Sequence, residues 1–260
     1  MLFDTHCHFD FAPFAPIETS LVKAQAAGVS KILIPGTEAA GWNAISQLTQ
    51  SHPQQLWGAY GLHPYFLHEK SASALLALDK ALAERNPNIV AVGECGLDGV
   101  VDVSAQLQEA IFVAQIDLAQ QHQLPLILHC RKQHQRLFKL LKSSRFEFGG
   151  VLHGFSGCVE QVKPFIDLGF KVGIGGVITY PRANKTRQSV AQLPVTSLVL
   201  ETDAPDMPLC GYQGEPNHPA HLPQVLTSLA ELRQESPTEL AQCLWQNSHE
   251  VFHLDGKVFG

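Results

Sequence analysis

Residues 89–94 read Ile-Val-Ala-Val-Gly-Glu, so a carboxylate stands at the end of an apolar, largely β-branched run. A run of this kind is typical of a buried β-strand. A carboxylate at its end is costly to bury unless it is paired, hydrogen-bonded or bound to a metal ion. Glu94 is therefore a candidate functional residue, and the run before it is the unit from which a fold can be predicted.

Similar runs recur along the chain, and each is followed by a helix-like segment. The strand candidates are residues 2–6, 31–35, 57–63, 89–94, 125–129, 150–153, 170–175 and 198–203. Amphipathic spacing predicts helices in the gaps, for example a stripe of Leu107, Ile111, Ala114, Leu118 and Ala119. The alternation predicts a parallel sheet, and about eight units is the number that closes a (β/α)8 TIM barrel.

The last helix pattern, at residues 237–252, follows the eighth unit and predicts an extra C-terminal helix. No linker, repeat or low-complexity segment divides the chain. A length of 260 residues with 45% hydrophobic and 16% charged residues suits one large globular domain. We therefore expect a single domain over residues 1–260.

Charge and cysteine content restrict the class of protein. The formal net charge of −6 argues against a protein that coats duplex nucleic acid, although action at a strand end stays open. The apolar stretches fall short of the roughly 18 residues that a membrane-spanning helix needs. The first residues lack the pattern of a signal peptide, and six scattered cysteines without a CxxC pair fit a reducing compartment. We expect a cytoplasmic protein with no membrane segment, and no pattern indicates an obligate protein partner.

Metal-ligand side chains stand at the ends of several other strand candidates. His6 and His8 form an H-x-H pair, whose spacing places both imidazoles on one face of a strand. His129 closes LPLILH, His153 closes GVLH, and Asp203 closes SLVLETD. The C-terminal ends of barrel strands meet at one rim, so we expect these side chains to surround a single point together with Glu94.

Each of these residues taken alone has a structural explanation. A lone H-x-H pair is more often packed or exposed histidine, and a single strand-end histidine is usually a hydrogen-bonded core residue. Glu94 alone could cap the next loop. Glu201 has the same strand parity as Asp203 and competes with it as a ligand, whereas Asp4 could orient a ligand indirectly.

Taken together, the candidates supply four imidazoles and two carboxylates without a thiolate. This donor set suits catalytic Zn, Mn or Mg and not a structural zinc site. Two divalent ions that share Glu94 are the simplest interpretation. Rival chemistries lack their motifs, since neither a G-x-S-x-G elbow nor a P-loop occurs.

Other polar residues near the strand ends are candidates for substrate binding. They are His63 in GLHP, Arg131 just beyond His129, and Tyr180 and Arg182 after the seventh strand. Arginine matches phosphate oxygens bidentately. Lys185 and Arg187 in the basic segment PRANKTR are further candidates, although a solvated helix face explains these two residues equally well.

The order of these motifs resembles the TatD family of metal-dependent hydrolases, and in particular its YjjV-like members. The resemblance covers nearly the whole chain and rests on DTHCHFD at 4–10, GLHP at 61–64, VGECGLD at 92–98, LPLILHCR at 124–131, VLHGFSG at 151–157 and LETDAPD at 200–206. It implies a metallo-dependent hydrolase TIM barrel with paired divalent ions. One ion would be held by His6, His8, Glu94 and Asp203, and the other by Glu94, His129 and His153.

The resemblance also implies a TatD-type deoxyribonuclease that cleaves DNA phosphodiester bonds, for which single-stranded ends are the expected substrate. In this hypothesis Asp203 accepts the proton of the attacking water, while His63 and Arg131 hold the phosphate. A second hypothesis is an amide, lactone or aminoacyl-ester hydrolase that acts on a small molecule or charged tRNA. A third is a metal-binding scaffold without turnover. Both enzyme hypotheses require Glu94 to lie close to His6 and His153.

Overall fold

The eight strand-like runs form one parallel sheet in a computed structural model that describes residues 1–68 and 71–254. Neighbouring strands follow one another in chain order: β1 Leu2–Asp4, β2 Val29–Pro35, β3 Leu56–Tyr60, β4 Ile89–Asp98, β5 Leu126–Arg131, β6 Gly150–Leu152, β7 Phe170–Ile174 and β8 Leu198–Leu200. The sheet closes between β8 and β1, where the Thr5 amide donates to the Leu200 carbonyl at 2.9 Å. The predicted (β/α)8 barrel is confirmed.

Helices alternate with the strands as the amphipathic spacing predicts. They are α1 Ile17–Ala26, α2 Trp42–Ser51, α3 Ser71–Ala83, α4 Ala105–Gln121, α5 His134–Ser143, α6 Val159–Ile166, α7 Asn184–Gln192, α8 Leu222–Arg233 and α9 Pro237–Val251. The extra C-terminal helix is α9. No helix in the described ranges is long and apolar enough to cross a membrane.

Two groups of buried side chains form the core. The larger group fills the space between the sheet and the surrounding helices. The smaller one includes Phe3, Leu33 and Trp57 from the strands, together with Val251 and Phe252 from the end of α9. Because Phe3 lies near the start of β1, α9 closes the N-terminal end of the barrel and leaves the C-terminal end for polar side chains.

Several ligand candidates lie just beyond a strand and not within it. Strand β1 ends at Asp4 and β8 ends at Leu200, so the predicted strands 2–6 and 198–203 are too long. The Asp4 carboxylate accepts hydrogen bonds from the Thr202 amide at 2.9 Å and hydroxyl at 2.6 Å. This side-chain contact supplements the backbone hydrogen bonds at the point where the barrel closes. Residues 255–260 of the predicted domain lie outside the described ranges.

Candidate metal centre

Glu94 lies at the centre of the C-terminal rim, and its side chain is 2% exposed. Four imidazoles surround it. His6 Nε2 is 3.1 Å from Glu94 Oε2. The ring nitrogens of His153, His129 and His63 lie 2.7, 3.0 and 3.1 Å from Oε1.

The second histidine of the H-x-H pair and the aspartate after β8 complete the group. His8 Nε2 is 3.7 Å from Glu94 Oε2 and also 3.7 Å from Asp203 Oδ1. Asp203 Oδ1 lies 3.5 Å from His6 Nε2. The backbone of Asp203 has a φ of 56°, a left-handed conformation that aspartate tolerates better than most residues. The structure therefore brings together all six residues that the strand-end pattern selected.

Glu201, the competing carboxylate, takes a different position. Its Oε1 accepts a hydrogen bond of 2.6 Å from the Gly154 amide. The carboxylate also fills the space beside Gly173, where a Cβ atom would lie 2.0 Å from Oε2. Of the described residues, those with three ligand atoms grouped closely enough for an ion include Asp203 but not Glu201.

The nitrogen atoms in this group fit a divalent ion better than a hydrogen-bond network. Both ring nitrogens of His6, and Nδ1 of His8 and of His153, are buried without a hydrogen-bond partner among the described residues. Buried polar atoms are rarely left unpaired. His6 Nε2 faces Glu94 Oε2 at 3.1 Å without hydrogen-bond geometry, as two ligands of one ion do. Nitrogen and carboxylate donors without a thiolate suit Zn or Mn.

Burial and charge set the protonation states of the group. Burial lowers the pKa of His6 to about 3 and that of His8 to about 4, so both rings are neutral nitrogen donors. Burial also opposes charge on His153, but the adjacent Glu94 carboxylate raises the pKa of that imidazole to about 10. Burial raises the pKa of Asp203 to about 7. In the absence of an ion, a proton on His153 therefore offsets the charge of Glu94.

Asp98 is a polar residue of the centre that the strand-end reasoning missed. Its Oδ2 lies 2.9 Å from His129 Nε2, which leaves Nδ1 of the ring directed at Glu94. Carboxylates that hold the far nitrogen of a histidine fix its orientation and its tautomer. A signal was present, because residues 94 and 98 share the two-residue period of one strand face, and β4 continues to Asp98.

The His63 side chain is largely buried and lies within the group around Glu94. Its Nδ1 accepts a hydrogen bond from the Tyr65 amide at 3.0 Å, and its Nε2 faces Glu94. His63, Glu94 and His129 form a further group of three ligand atoms. Sequence reasoning predicted contact with phosphate for His63, and the geometry adds metal binding as an alternative.

A cavity of about 660 Å³, termed the metal-centre cavity, opens above these residues. His63, His129, Arg131, His153 and Asp203 line it. Cys130 also borders the cavity, although strand alternation predicts that a residue beside a ligand turns away. The strand is ending there, so the alternation no longer applies.

Tyr180 and Arg182, two predicted substrate contacts, are not among the described residues that line this cavity. The Tyr180 hydroxyl instead donates to the Pro208 carbonyl at 2.7 Å, and the Arg182 guanidinium stacks 5.2 Å from the Tyr180 ring centre. Arg187 donates to the Ile178 carbonyl, and Lys185 is exposed. Tyr180 thus joins this loop to the segment after β8, and Arg187 holds the backbone of the loop itself, so both side chains are engaged away from the metal-centre cavity.

A family model described as TatD related DNase matches residues 3–253. The chain belongs to the TatD family. The metal-dependent hydrolase YjjV of Escherichia coli K12, described as uncharacterized, is 47% identical over 96% of this chain and 97% of its own length. A TatD protein of Rahnella sp., described as a 3'-5' ssDNA/RNA exonuclease, is 36% identical over 90% of this chain and 91% of its own length.

Solved structures agree with this assignment. The crystal structure of E. coli YjjV, a TatD homologue, superposes with a TM-score of 0.93 at 46% identity and covers 97% of this chain and 98% of that one. A TatD-family hydrolase of Entamoeba histolytica has a TM-score of 0.83 at 20% identity, covers 96% and 97%, and shows the shared fold. The predicted family is confirmed, and this TatD-family chain is a metal-dependent hydrolase.

Proposed function

We propose that this hydrolase is a TatD-type deoxyribonuclease that cleaves phosphodiester bonds at the ends of single-stranded DNA. The observation that carries the proposal is the convergence of His6, His63, His129 and His153 on the buried Glu94 carboxylate. Relatives described as 3'-5' ssDNA/RNA exonucleases support the choice of substrate.

Two divalent ions, Mg, Mn or Zn, are the proposed cofactors. His6, His8, Glu94 and Asp203 would hold one ion, and Glu94, His129 and His153 the other. Glu94 can serve both because its two oxygens face different histidines, Oε2 towards His6 and Oε1 towards His153. When bound, such ions lower the pKa of a water molecule and offset negative charge on phosphoryl oxygens.

The side chains of the chain itself supply orientation and proton transfer. Asp203 accepts the proton of the attacking water, a role that suits a carboxylate whose pKa burial raises to about 7. Arg131 is exposed at the wall of the metal-centre cavity and contacts the phosphate. His63, which also lines the cavity and whose ring centre is 4.4 Å from that of His129, positions the phosphate.

The test is nucleotide release from a single-stranded DNA oligomer with Mg, Mn or Zn and with a chelator. Asp203→Asn and Glu94→Gln should each lower the rate at least a hundredfold, while Asp102→Asn, at an exposed position, serves as the matched control. Undiminished release by the first two variants would contradict the proposal. Hydrolysis of amide, lactone or aminoacyl-ester substrates without DNA cleavage would favour the second hypothesis, and metal binding without any turnover would favour a scaffold.

We also propose that residues 1–260 form a single cytoplasmic domain that needs no protein partner. All six cysteines are free thiols, which is usual for a reducing compartment. The two groups of core residues draw on every strand of the barrel and on α9, so the core offers no internal boundary.

A further inference from the structure

A second cavity of about 420 Å³, termed the α5 cavity, adjoins the metal-centre cavity. The two share Lys132, His134 and Gln161 in their walls. Arg136 and Lys139 of helix α5 line the far part of the α5 cavity. A ligand in the metal-centre cavity can therefore continue into the α5 cavity past Lys132.

Positive charge is concentrated around the α5 cavity in a chain of net charge −6. Residues 131–145 contain no Asp or Glu and hold six of the 18 lysines and arginines: Arg131, Lys132, Arg136, Lys139, Lys142 and Arg145. Arg136 is paired with Glu109. In the described part of the chain, no carboxylate lies within ion-pair distance of Lys132 or Lys139, so both ammonium groups remain available to an anion.

Exposed aromatic rings stand at the mouth of the metal-centre cavity. Tyr65 is 63% exposed and lines that cavity. Phe66 is 41% exposed, and its ring centre is 5.3 Å from that of Tyr65. The Tyr65 amide donates to His63 Nδ1, so the backbone that carries this aromatic pair is held beside a residue that faces Glu94. Rings presented in this way stack on unpaired bases regardless of sequence.

We propose that the α5 cavity is a binding subsite for the backbone of a single-stranded polynucleotide, with Lys132 and Lys139 on the phosphates next to the scissile one and Tyr65 stacked on a base. The proposal rests on the proposed phosphodiesterase function and deepens it. It makes the substrate a strand of several nucleotides, in preference to a small phosphodiester. An acidic protein can bind such a strand because the basic groups line one continuous path.

The first experiment compares KM for a single-stranded DNA 12-mer with KM for bis(4-nitrophenyl) phosphate, which reaches only the metal-centre cavity. The double variant Lys132→Gln/Lys139→Gln should raise KM for the 12-mer at least tenfold relative to KM for bis(4-nitrophenyl) phosphate. Each phosphate contact contributes about 0.7 to the slope of log affinity against log salt, so the slope for the 12-mer, measured by fluorescence anisotropy, should fall by roughly 1.4. Lys23→Gln/Lys80→Gln removes the same charge at exposed sites outside both cavities and should leave ratio and slope unchanged.

The stacking contact is tested with two substitutions of one residue. Tyr65→Leu should raise KM for the 12-mer about tenfold, and Tyr65→Phe, which keeps the ring, should restore it. If Lys132→Gln/Lys139→Gln has the same KM ratio and salt slope as the wild type, the proposed subsite is wrong, while the proposed phosphodiesterase function is unaffected. Wild-type protein that hydrolyses neither substrate would overturn the proposed function and the subsite with it.

Discussion

The two ring nitrogens of His129 have different carboxylate neighbours, Asp98 at Nε2 and Glu94 at Nδ1. Asp98 is itself 4% exposed and is held by the Val100 amide, which donates to its Oδ1 at 2.7 Å. A carboxylate fixed in this way holds the imidazole in one orientation, so the position of a ligand nitrogen depends on a residue that does not touch the ion.

Replacing Asp98 should therefore weaken metal binding without removing a ligand. We expect Asp98→Asn to lower the affinity for one of the two ions by about 10–100-fold, because the His129 ring loses its charged partner. Isothermal titration of the metal-free protein measures this change. Asp79→Asn breaks a similar pair with His122, 2.7 Å apart on the helices, and should leave affinity unchanged. Equal affinities for both variants would contradict the role of Asp98.

The proton on His153 makes metal binding dependent on pH. The Glu94 carboxylate raises the pKa of His153 to about 10, so at pH 8 the ring of the metal-free protein is protonated, and the neutral form binds an ion. Ion binding should release about one proton per protein at this site, and affinity should rise about tenfold per pH unit between pH 8 and 9.

Titrations in buffers of different ionisation enthalpy count the released protons. His153→Gln should reduce the number by about one, whereas His52→Gln, at the end of α2, should not. A proton count that is independent of residue 153 would show that the ring is already neutral.

At the residue scale, the sequence was sufficient for the side chains that end a strand and insufficient for those placed by loops. His129 and Glu94 follow apolar runs whose direction the barrel determines. The Tyr180 side chain is directed by its hydrogen bond to the Pro208 carbonyl, and that of Arg182 by its contact with the Tyr180 ring. Such local contacts leave no periodic signal.

Helix α4 supports the metal centre through two buried glutamines. The Gln108 side chain accepts a hydrogen bond from the Asp98 amide at 2.8 Å and donates one to the Asp98 carbonyl at 3.0 Å. The Gln115 side chain makes the same pair of hydrogen bonds with the backbone of Leu62, at 2.7 and 3.1 Å. Leu62 and Asp98 lie beside or within the centre, so one helix fixes the ends of β3 and β4 together.

Removing one of these amides should destabilise the metal-free protein. Gln108→Leu keeps the volume but leaves the Asp98 amide and the Asp98 and Val103 carbonyls without their partner. We expect the free energy of unfolding to fall by about 1–3 kcal/mol. Urea denaturation with a chelator present measures it, and Gln106→Leu, exposed on the same helix, should change it little. Equal midpoints for the two variants would count against this role of Gln108.

These glutamines also explain an error at the scale of elements. Two members of the predicted stripe on α4, Ile111 and Ala119, are buried. The other three, Leu107, Ala114 and Leu118, are only partly buried, whereas Gln108 and Gln115 are buried. Apolar spacing correctly predicts that a helix is present. It cannot find a buried face on which amide groups replace apolar side chains, because a glutamine in sequence favours the solvent side.

In the whole molecule, the packing of α9 and the side chains of the metal centre lie at opposite ends of the barrel. Changes in the packing at one end should therefore affect stability without affecting the metal centre. Phe252 is 1% exposed and belongs to the smaller core group, at the N-terminal end of the barrel. We expect Phe252→Ala to lower the free energy of unfolding by about 3–5 kcal/mol. The metal content of the folded fraction, measured by elemental analysis, should remain that of the wild type.

Leu76→Ala provides the comparison, since Leu76 is 80% exposed and should have little effect on unfolding. Loss of metal from folded Phe252→Ala protein would show that the two ends are coupled. The order of the strands was predictable because each run precedes a helix, but the fit of α9 was not, since it depends on side chains that meet only in the closed barrel.

The seam of the barrel joins β1 to β8, the first and the last strand of the sheet. The amide of Asp203 donates to the carbonyl of His6 at 2.8 Å, so candidate ligands from the beginning of the chain meet one encoded almost two hundred codons later. A ribosome that has not yet translated β8 carries a chain without a complete centre. Fragments that lack either β1 or β8 would consequently lack a complete centre, and ion binding would be a late event after synthesis of each molecule.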